Sequence, residues 1–413
     1  MAVEHRFRVR LGIQEDNPLM TDSTVPAPRG FAVHTAHVGI REGDRDDLTI
    51  MFSTVPATVS AVFTRSRFVG PSVTLSRSAA ADGHARGVVV VAGNANVATG
   101  AQGLENAREL RSLAAKAIGA AEEELLVAST GVIGRQYPMD GLREHLTAVA
   151  APPADRGFVR AARAIMTTDT REKIAVRRIG DATLVGIAKG VGMIEPDMAT
   201  LLTYFATDAR LAPGEQDRLF RRVMDRTFNA LSIDTDTSTS DSAALFANGL
   251  AGEVDADEFE RALASVALEL VKEITRDGEG ATKTITVEVS GARDVDQAKR
   301  VGKTVVNSPL VKTAVHGGDP NWGRVAMAVG KCSDDTDIDQ DAVTIRFGDT
   351  VVYPPAGTPV DQNDDRARAL VAEHLAQDEV VIGVDLDIAD GAFTVYGCDL
   401  TTDYVRLNAH YTT

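Results

Sequence analysis

Apolar residues recur along this chain in two patterns, one with the period of a strand and one with the period of a helix. Residues 87–93 form a continuous apolar run between two glycines, which predicts a strand buried on both faces. Residues 101–118 carry apolar side chains three and four positions apart, which predicts an amphipathic helix. Residues 174–179 and 182–188 alternate around Gly180 and Asp181, which predicts a β-hairpin.

The two patterns interleave over the rest of the chain. Further strands are predicted at residues 31–36, 48–53, 59–64, 125–129, 201–207, 281–290 and 343–347, with a second hairpin formed by residues 380–389 and 393–398. Further helices are predicted at residues 142–150, 157–166, 213–231, 256–276, 295–306 and 365–376. Strands and helices alternate on both sides of residue 200, so we expect an α/β fold of layers in which neither half buries its sheet alone.

Composition narrows the class of protein. The 413 residues are 44% apolar and 25% charged, as in an ordinary soluble globular protein with roughly two or three domains. A formal net charge of −16 argues against nucleic acid or an anionic membrane as a partner, and favours a small polar substrate. Residues 1–19 lack a signal-peptide core, and no apolar run approaches the roughly 20 residues of a membrane span. We therefore expect a cytoplasmic protein.

The candidate motifs for metal or cofactor binding lack residues or spacings that such sites require. Cys332 and Cys398 have no metal-ligand spacing, and the eight histidines show no paired helical spacing. In residues 278–284 Thr282 stands where a phosphate loop needs glycine, and the acidic runs 234–241 and 334–341 lack the turn glycine of a calcium loop. The sequence therefore predicts no cofactor and no metal.

The segment of residues 189–202 has the features of a loop that leads into a buried strand. Two glycines and a proline keep residues 189–197 out of regular structure, and an apolar run begins at Leu201. Thr200 stands at the junction, where it has two interpretations. It is either an ordinary β-branched residue that opens a strand, or the nucleophile that is freed when the Ala199–Thr200 bond is cut. In the second case its hydroxyl attacks, and its own α-amino group, with an ordinary pKa of about 7.7–8.0, acts as base.

This segment resembles the processing segment of the ornithine acetyltransferases, self-cleaving enzymes that transfer acetyl from N-acetylornithine to glutamate. Further segments match the same family in order, and together they cover the chain from about residue 28 to its end. They are residues 93–96, 129–134, 166–170, 236–239, 278–283, 319–324 and 408–413. Each signal is weak when taken singly, but chance does not produce so many in the right order.

The departures from the family pattern are also informative. Glu195 and Asp197 flank the proline of the loop where the family usually has His and Asn, and Val97-Ala98 replaces its usual Ala-Cys. The acidic version resembles the variant associated with clavulanic acid gene clusters. Because the resemblance starts only after Met20, we expect residues 1–19 to be a non-native or disordered extension.

The resemblance implies a fold, a maturation and a set of site residues. It implies sheets sandwiched between helices, as in N-terminal nucleophile hydrolases, and a precursor that is cut into residues 20–199 and residues 200–413. The two interlocked chains would assemble as an α2β2 heterotetramer. The implied site residues are Thr200 as nucleophile, Thr130 and Gly131 as oxyanion hole, and Thr167, Lys189, Thr200, Glu279, Asn408 and Thr413 as substrate-binding residues.

The function implied by the resemblance is that of a glutamate N-acetyltransferase. N-acetylornithine would donate acetyl to Thr200, ornithine would leave, and glutamate would take the acetyl group in a ping-pong sequence. Two alternatives stay open from the residues alone. One is a self-processing amidohydrolase or aminopeptidase, in which water replaces glutamate, and the other is an unprocessed binding protein without chemistry.

Overall fold

The structure is a computed structural model that describes residues 25–195, 201–355 and 365–410. Ala199, Thr200 and Thr413 lie outside these residues, so the expectations for them stay predictions. Within the described residues the strands form three sheets, here named A, B and C. No helix in these ranges is both long and apolar enough to cross a membrane.

Sheet A contains four strands in the order β1-β2-β4-β5, and two helices cover its outer face. The strands are β1 (Phe31–Ala36), β2 (Leu48–Ser53), β4 (Gly87–Asn94) and β5 (Leu125–Val132), and the helices are α2 (Gly100–Ile118) and α3 (Met139–Ala148). Strands β4 and β5 are parallel, and the pairing brings Gly93 opposite Gly131. The parallel pair therefore ends at the glycine motifs singled out in the sequence.

Sheet B has five strands in the order β3-β9-β8-β7-β6, with helices on its far side. The strands are β3 (Thr58–Phe63), β6 (Lys173–Ile179), β7 (Ala182–Lys189), β8 (Leu202–Arg210) and β9 (Ser242–Glu253). The helices on that far side are α5 (Pro213–Arg226) and α6 (Ala256–Arg276). Helix α1 (Pro71–Ala79) packs mainly on β5, and α4 (Phe158–Ala164) packs against strands of both sheets.

Sheets A and B pack face to face because their strands are apolar on both sides. In β8, Tyr204 points into the core shared with sheet A, whereas Phe205 points into the core under α5 and α6. In β4, Val88 points toward sheet B and Val89 toward α2 and α3. This two-residue alternation produces a helix-sheet-sheet-helix sandwich, which confirms the expected layers of sheets between helices.

Sheet C is the third sheet, with the strand order β12-β11-β13-β10-β14 and a core of its own. Its strands are β10 (Thr284–Ala292), β11 (Thr344–Phe347), β12 (Thr350–Tyr353), β13 (Glu379–Asp385) and β14 (Gly391–Cys398). The last helices are α7 (Val295–Val306), α8 (Pro309–Gly317), α9 (Trp322–Gly330), α10 (Asp365–Leu375) and α11 (Thr402–His410). One core joins the sheet to α7, α8, α9 and α10.

Several predictions of local structure are confirmed and others are wrong. The first hairpin and the helices at residues 256–276 and 295–306 form as expected. The second hairpin is wrong, because β10 lies between β13 and β14 and pairs with both. Strand β9 was not predicted, and α5 ends at Arg226 rather than at residue 231.

Segments from both sides of residue 200 share sheet B. Strand β7 pairs antiparallel with β8, and β3 pairs with β9, so two ladders cross between the first 199 residues and the remainder. A buried ion-pair triad adds a third link, since Lys173 Nζ lies 2.8 Å from Asp169 Oδ1 and 2.6 Å from Asp277 Oδ2. A cut at residue 200 would leave these contacts in place.

Replacing Lys173 by Met should destabilise the fold by about 3–5 kcal/mol, because it leaves Asp277 buried without its ion-pair partner and removes one of the two cations that act on Asp169. Urea unfolding at pH 7 would measure the loss. Lys116→Met, at an exposed position of α2, serves as the control and should cost less than about 0.5 kcal/mol. A loss of similar size in both variants would contradict the buried triad.

Candidate functional site

A cavity of about 540 Å³ opens where the ends of β5 and β7 meet the start of β8. Polar groups line it from both halves of the chain. Its walls include Thr130, Gly131, Thr167, Thr168, Lys189, Leu201, Asp241, Glu279, Tyr404 and Asn408. A larger cavity of about 720 Å³ lies against sheet C, and none of the expected site residues lines it.

Thr130 and Gly131 lie in β5 itself, because this strand extends to Val132 and not only to residue 129 as predicted. Gly131 has φ of +121°, and a Cβ there would lie 2.4 Å from the carbonyl carbon of Gly93, so only glycine fits. Lys189 Nζ donates a hydrogen bond to Thr130 Oγ1 at 3.2 Å. Because Oγ1 accepts that bond, the hydroxyl hydrogen of Thr130 remains available as a donor.

Lys189 is a buried cation beside a buried anion. Burial lowers the pKa of Lys189 and Lys173 acts in the same direction, whereas Asp169 opposes them. Burial alone would raise the pKa of Asp169, but Lys189 and Lys173 outweigh it and bring that pKa to about 2. Asp169 therefore stays ionised, and it accepts the Gly190 N–H at 2.7 Å. This bond fixes the backbone directly after Lys189.

Glu279 is held by two side chains that come from distant parts of the chain. Thr168 Oγ1 donates to its Oε1 at 2.9 Å, and Asn408 Nδ2 donates to its Oε2 at 2.9 Å. None of the Lys or Arg side chains that the structure describes forms an ion pair with Glu279. Lys189 is near enough to interact with Glu279 without forming an ion pair, so this carboxylate, fixed by neutral donors, is suited to bind an ammonium group of a ligand.

Glycine at position 192 allows Glu279 to reach the cavity. A Cβ at Gly192 would lie 2.5 Å from Glu279 Oε2, and the Glu279 N–H donates to the carbonyl of Val191 at 2.8 Å. The backbone of the loop after β7 thus packs against Glu279 and holds its carboxylate in the cavity.

Leu201 is the described residue that is covalently bonded to Thr200. Its φ is +91°, a region that non-glycine residues rarely adopt, and its N–H donates to Asp241 Oδ1 at 2.7 Å. Its carbonyl accepts from Ser242 N at 2.9 Å. Two hydrogen bonds, one with Asp241 and one with the first residue of β9, therefore hold this unusual backbone conformation of Leu201.

Glu195 anchors the other end of the loop. Its Oε2 accepts from Asn307 Nδ2 at 2.7 Å and from Ser232 Oγ at 3.3 Å, and its Oε1 lies 3.8 Å from Lys303 Nζ. Its backbone N–H donates to the carbonyl of Asp236 at 2.9 Å. The acidic residue that distinguishes this loop from the usual family pattern thus ties the loop to α7.

The structure brings together every expected site residue that it describes. Thr130, Gly131, Thr167, Lys189, Glu279 and Asn408 all line the one cavity, whereas Thr200 and Thr413 lie outside the described residues. The sequence had not indicated Thr168, Asp169 or Asp241 as site residues. Thr168 and Asp169 lay inside a matched segment, which was a usable signal. Asp241 lay in an acidic run that resembles a solvated loop.

No group of three or more His, Cys, Asp or Glu side chains in the described ranges could hold a metal ion. Besides hydroxyls and the amide of Asn408, charged side chains of both signs line the cavity, namely Arg41, Arg135, Lys189, Glu42, Asp234, Asp236, Asp241 and Glu279. They suit the binding of a small molecule that carries both charge signs.

Comparison with known proteins gives a consistent result. Residues 32–413 match the ArgJ family. The chain is 73% identical over 394 residues to glutamate N-acetyltransferase Oat2 of Streptomyces clavuligerus, a match that covers 95% of this chain and 100% of the relative. It is 53% identical over 393 residues to the arginine biosynthesis bifunctional protein ArgJ of Rhodococcoides fascians, covering 95% and 96% of the two chains. A similar protein from Thermus thermophilus is 44% identical over 391 residues, covering 94% and 100%.

Gly192→Ala should weaken the binding of ornithine, the amine product implied by the resemblance, by roughly tenfold, because overpacking costs about 1–3 kcal/mol. The added methyl group would displace Glu279 from the cavity. Calorimetric titration with ornithine would measure the change. Gly317→Ala in α8, where a Cβ meets open space, is the control. Equal dissociation constants for the two variants would show that Glu279 is not held in this way.

Proposed function

Because this chain belongs to the ArgJ family and is a glutamate N-acetyltransferase of that family, we propose that it transfers acetyl through an ester on Thr200. N-acetylornithine is the donor, glutamate the acceptor and ornithine the leaving amine. The observation that carries this proposal is the Lys189–Thr130 hydrogen bond in a cavity that also contains Leu201, the residue bonded to Thr200.

The first half-reaction forms the ester. The Thr200 hydroxyl oxygen attacks the acetyl carbonyl carbon, and the hydroxyl proton passes to the α-amino group of Thr200. The carbonyl oxygen becomes an oxyanion, which the Thr130 hydroxyl and the Gly131 N–H stabilise. The C–N bond then breaks, and ornithine leaves with the proton that the α-ammonium returns.

The second half-reaction reverses these steps with glutamate. Its neutral α-amino group attacks the ester carbonyl, the same oxyanion forms, and the Thr200 oxygen leaves as a hydroxyl. The attacking nitrogen gives one proton to the α-amino group of Thr200, which passes it to the departing Thr200 oxygen. If water took the acetyl group instead of glutamate, the protein would be an amidohydrolase. The names of the relatives favour glutamate as the acceptor.

The charges of the cavity match the charges of the substrates. Glu279, fixed by Thr168 and Asn408, receives an ammonium group, while Lys189 stands behind Thr130 and supports the oxyanion. Thr167 and Thr413 are the remaining substrate-binding residues of the proposal. Lys189 also favours the neutral form of a nearby amine, which suits a residue that must act as base.

We extend the proposal to the maturation and the assembly. The Thr200 hydroxyl attacks the Ala199 carbonyl, and water resolves the resulting ester into a chain that ends at Ala199 and one that begins at Thr200. The β7–β8 and β3–β9 ladders would keep the two chains together, and two such pairs would form an α2β2 heterotetramer. The free thiols Cys332 and Cys398 suit a cytoplasmic location.

Intact-mass analysis of the purified protein tests the maturation. The wild type should split at the Ala199–Thr200 bond, whereas Thr200→Ala should remain one chain because it has no hydroxyl to attack. Thr207→Ala, which removes a buried hydroxyl elsewhere on β8, is the control and should still be cut. A wild type that transfers acetyl while uncut would contradict the proposal.

Kinetics of Thr130 variants test the oxyanion hole. Thr130→Ala should lower kcat by on the order of a hundredfold to a thousandfold, as loss of one such donor does, while KM changes less. Thr130→Ser keeps the hydroxyl and should recover most of kcat. The assay should use fully cut protein, as judged by mass. A near-normal kcat for cut Thr130→Ala would leave Thr130 with a structural role only.

A further inference from the structure

Asp241 is a buried carboxylate, and among the described residues only one of its two oxygens has a hydrogen-bond partner. The residue is 2% exposed, and its Oδ1 accepts the Leu201 N–H at 2.7 Å. Its Oδ2 is buried and has no hydrogen-bond partner within the part of the chain that the structure describes, although Ser238 lies close enough to favour the ionised form. Burying a hydrogen-bond acceptor without a donor costs free energy. The unpaired Oδ2 therefore indicates that a donor group forms beside it after the chain has folded.

The covalent chain limits which group that can be. Leu201 N is joined to the α-nitrogen of Thr200 through three bonds, each of about 1.3–1.5 Å, so the two nitrogens lie within about 4 Å of each other. The α-nitrogen of Thr200 is therefore within roughly 7 Å of Asp241 Oδ1 whatever the conformation of the segment. In the continuous chain this nitrogen belongs to a neutral amide. Cleavage turns it into an amine.

We propose that Asp241 is a positioning residue for the nucleophile, which fixes the backbone after Thr200 through Oδ1 and receives the newly formed α-amino group at Oδ2. The inference rests on the proposed cleavage at Thr200. In the first step of that cleavage, the Thr200 oxygen bonds to the Ala199 carbonyl carbon and the C–N bond breaks. The nitrogen takes the hydroxyl proton, so the amine already exists at the ester stage.

Asp241 and Lys189 act in opposite directions on this amine. A cation lowers the pKa of a neighbouring amine and an anion raises it. Lys189 also acts on Asp241 directly, while Asp169, Lys173 and Glu279 act on Lys189. Asp234 and Asp236 line the same cavity, so they too contribute negative charge. Arg41, Arg135 and Glu42 line it too, so the amine titrates among three cations and several carboxylates.

The titration of Asp241 overlaps that of the amine. Burial raises the pKa of Asp241 to about 7, against which the Leu201 N–H and Ser238 act. An unperturbed α-amino group titrates at about 7.7–8.0, so the two groups exchange protons in the same pH range and behave as a coupled pair. A positioning role of Asp241 therefore has a signature in the pH dependence that a purely structural role lacks.

Asp241→Asn tests this role. Asparagine keeps the acceptor for the Leu201 N–H but removes the charge, so the acid limb of kcat/KM against pH should move to lower pH by about one unit. Asp208→Asn is the matched control. Asp208 is 1% exposed, lies near the other end of β8 and accepts the Thr183 N–H at 2.7 Å through Oδ1, but it lies far along the strand from Thr200.

The outcomes separate this inference from the proposed function. If the wild type is not cut at Thr200, the proposed function fails. If the wild type and both variants are cut, and the limb is unmoved in Asp241→Asn, the role of Asp241 is overturned while the proposed function stands. An Asp241→Asn protein that stays uncut, beside a normally cut Asp208→Asn, supports the role, because the first step forms the same amine.

Should Asp241→Asn not fold, the wild-type enzyme itself decides the question. Labelling of the Thr200 α-amino group by an isotopically marked acetylating reagent, across pH 5 to 9 and read by peptide mass, follows its titration. A two-step curve, as expected of a coupled pair, supports the role of Asp241. A single-step curve overturns it.

Discussion

The antiparallel pairing of β7 with β8 is the contact on which the site depends. It places Lys189 opposite Leu202 in the middle of sheet B, so the segment between them must fold back at the edge of the core. Both strands are buried on both faces, and slipping by one residue would turn every side chain to the wrong layer. The apolar sandwich therefore fixes, to within one residue, where the chain enters β8.

The polar groups at this edge are held by partners that are far apart in the chain. Asp169 holds Gly190, Asp241 holds Leu201, and Thr168 with Asn408 holds Glu279. Charges taken out of water act strongly on one another, which is why burial and their mutual interaction dominate the pKa values of Asp169 and Lys189. A preorganised donor such as Thr130 can then stabilise an oxyanion without reorganisation.

Much of the fold follows from local patterns, but the pairing of strands does not. Helix α6 was predicted with its full bounds because its apolar positions keep a helical period and Asp255 caps it. Strand β9 was missed because its small residues and its Asn248-Gly249 pair resemble a turn. The second hairpin was wrong because adjacency in sequence does not reveal that β10 lies between β13 and β14. In the site, the family motifs indicated Lys189 and Glu279, whereas Asp241 becomes evident only once β8 and β9 are paired.

The proposed acetyl ester on Thr200 is a covalent intermediate that can be trapped. The most direct measurement supplies N-acetylornithine without glutamate to the cut wild-type protein and locates the trapped acetyl group by peptide mass. The account predicts one acetyl group on the hydroxyl of the peptide that begins at Thr200, released when glutamate is added. An acetyl group on a cysteine or a histidine, or no adduct in protein that transfers acetyl, would contradict it.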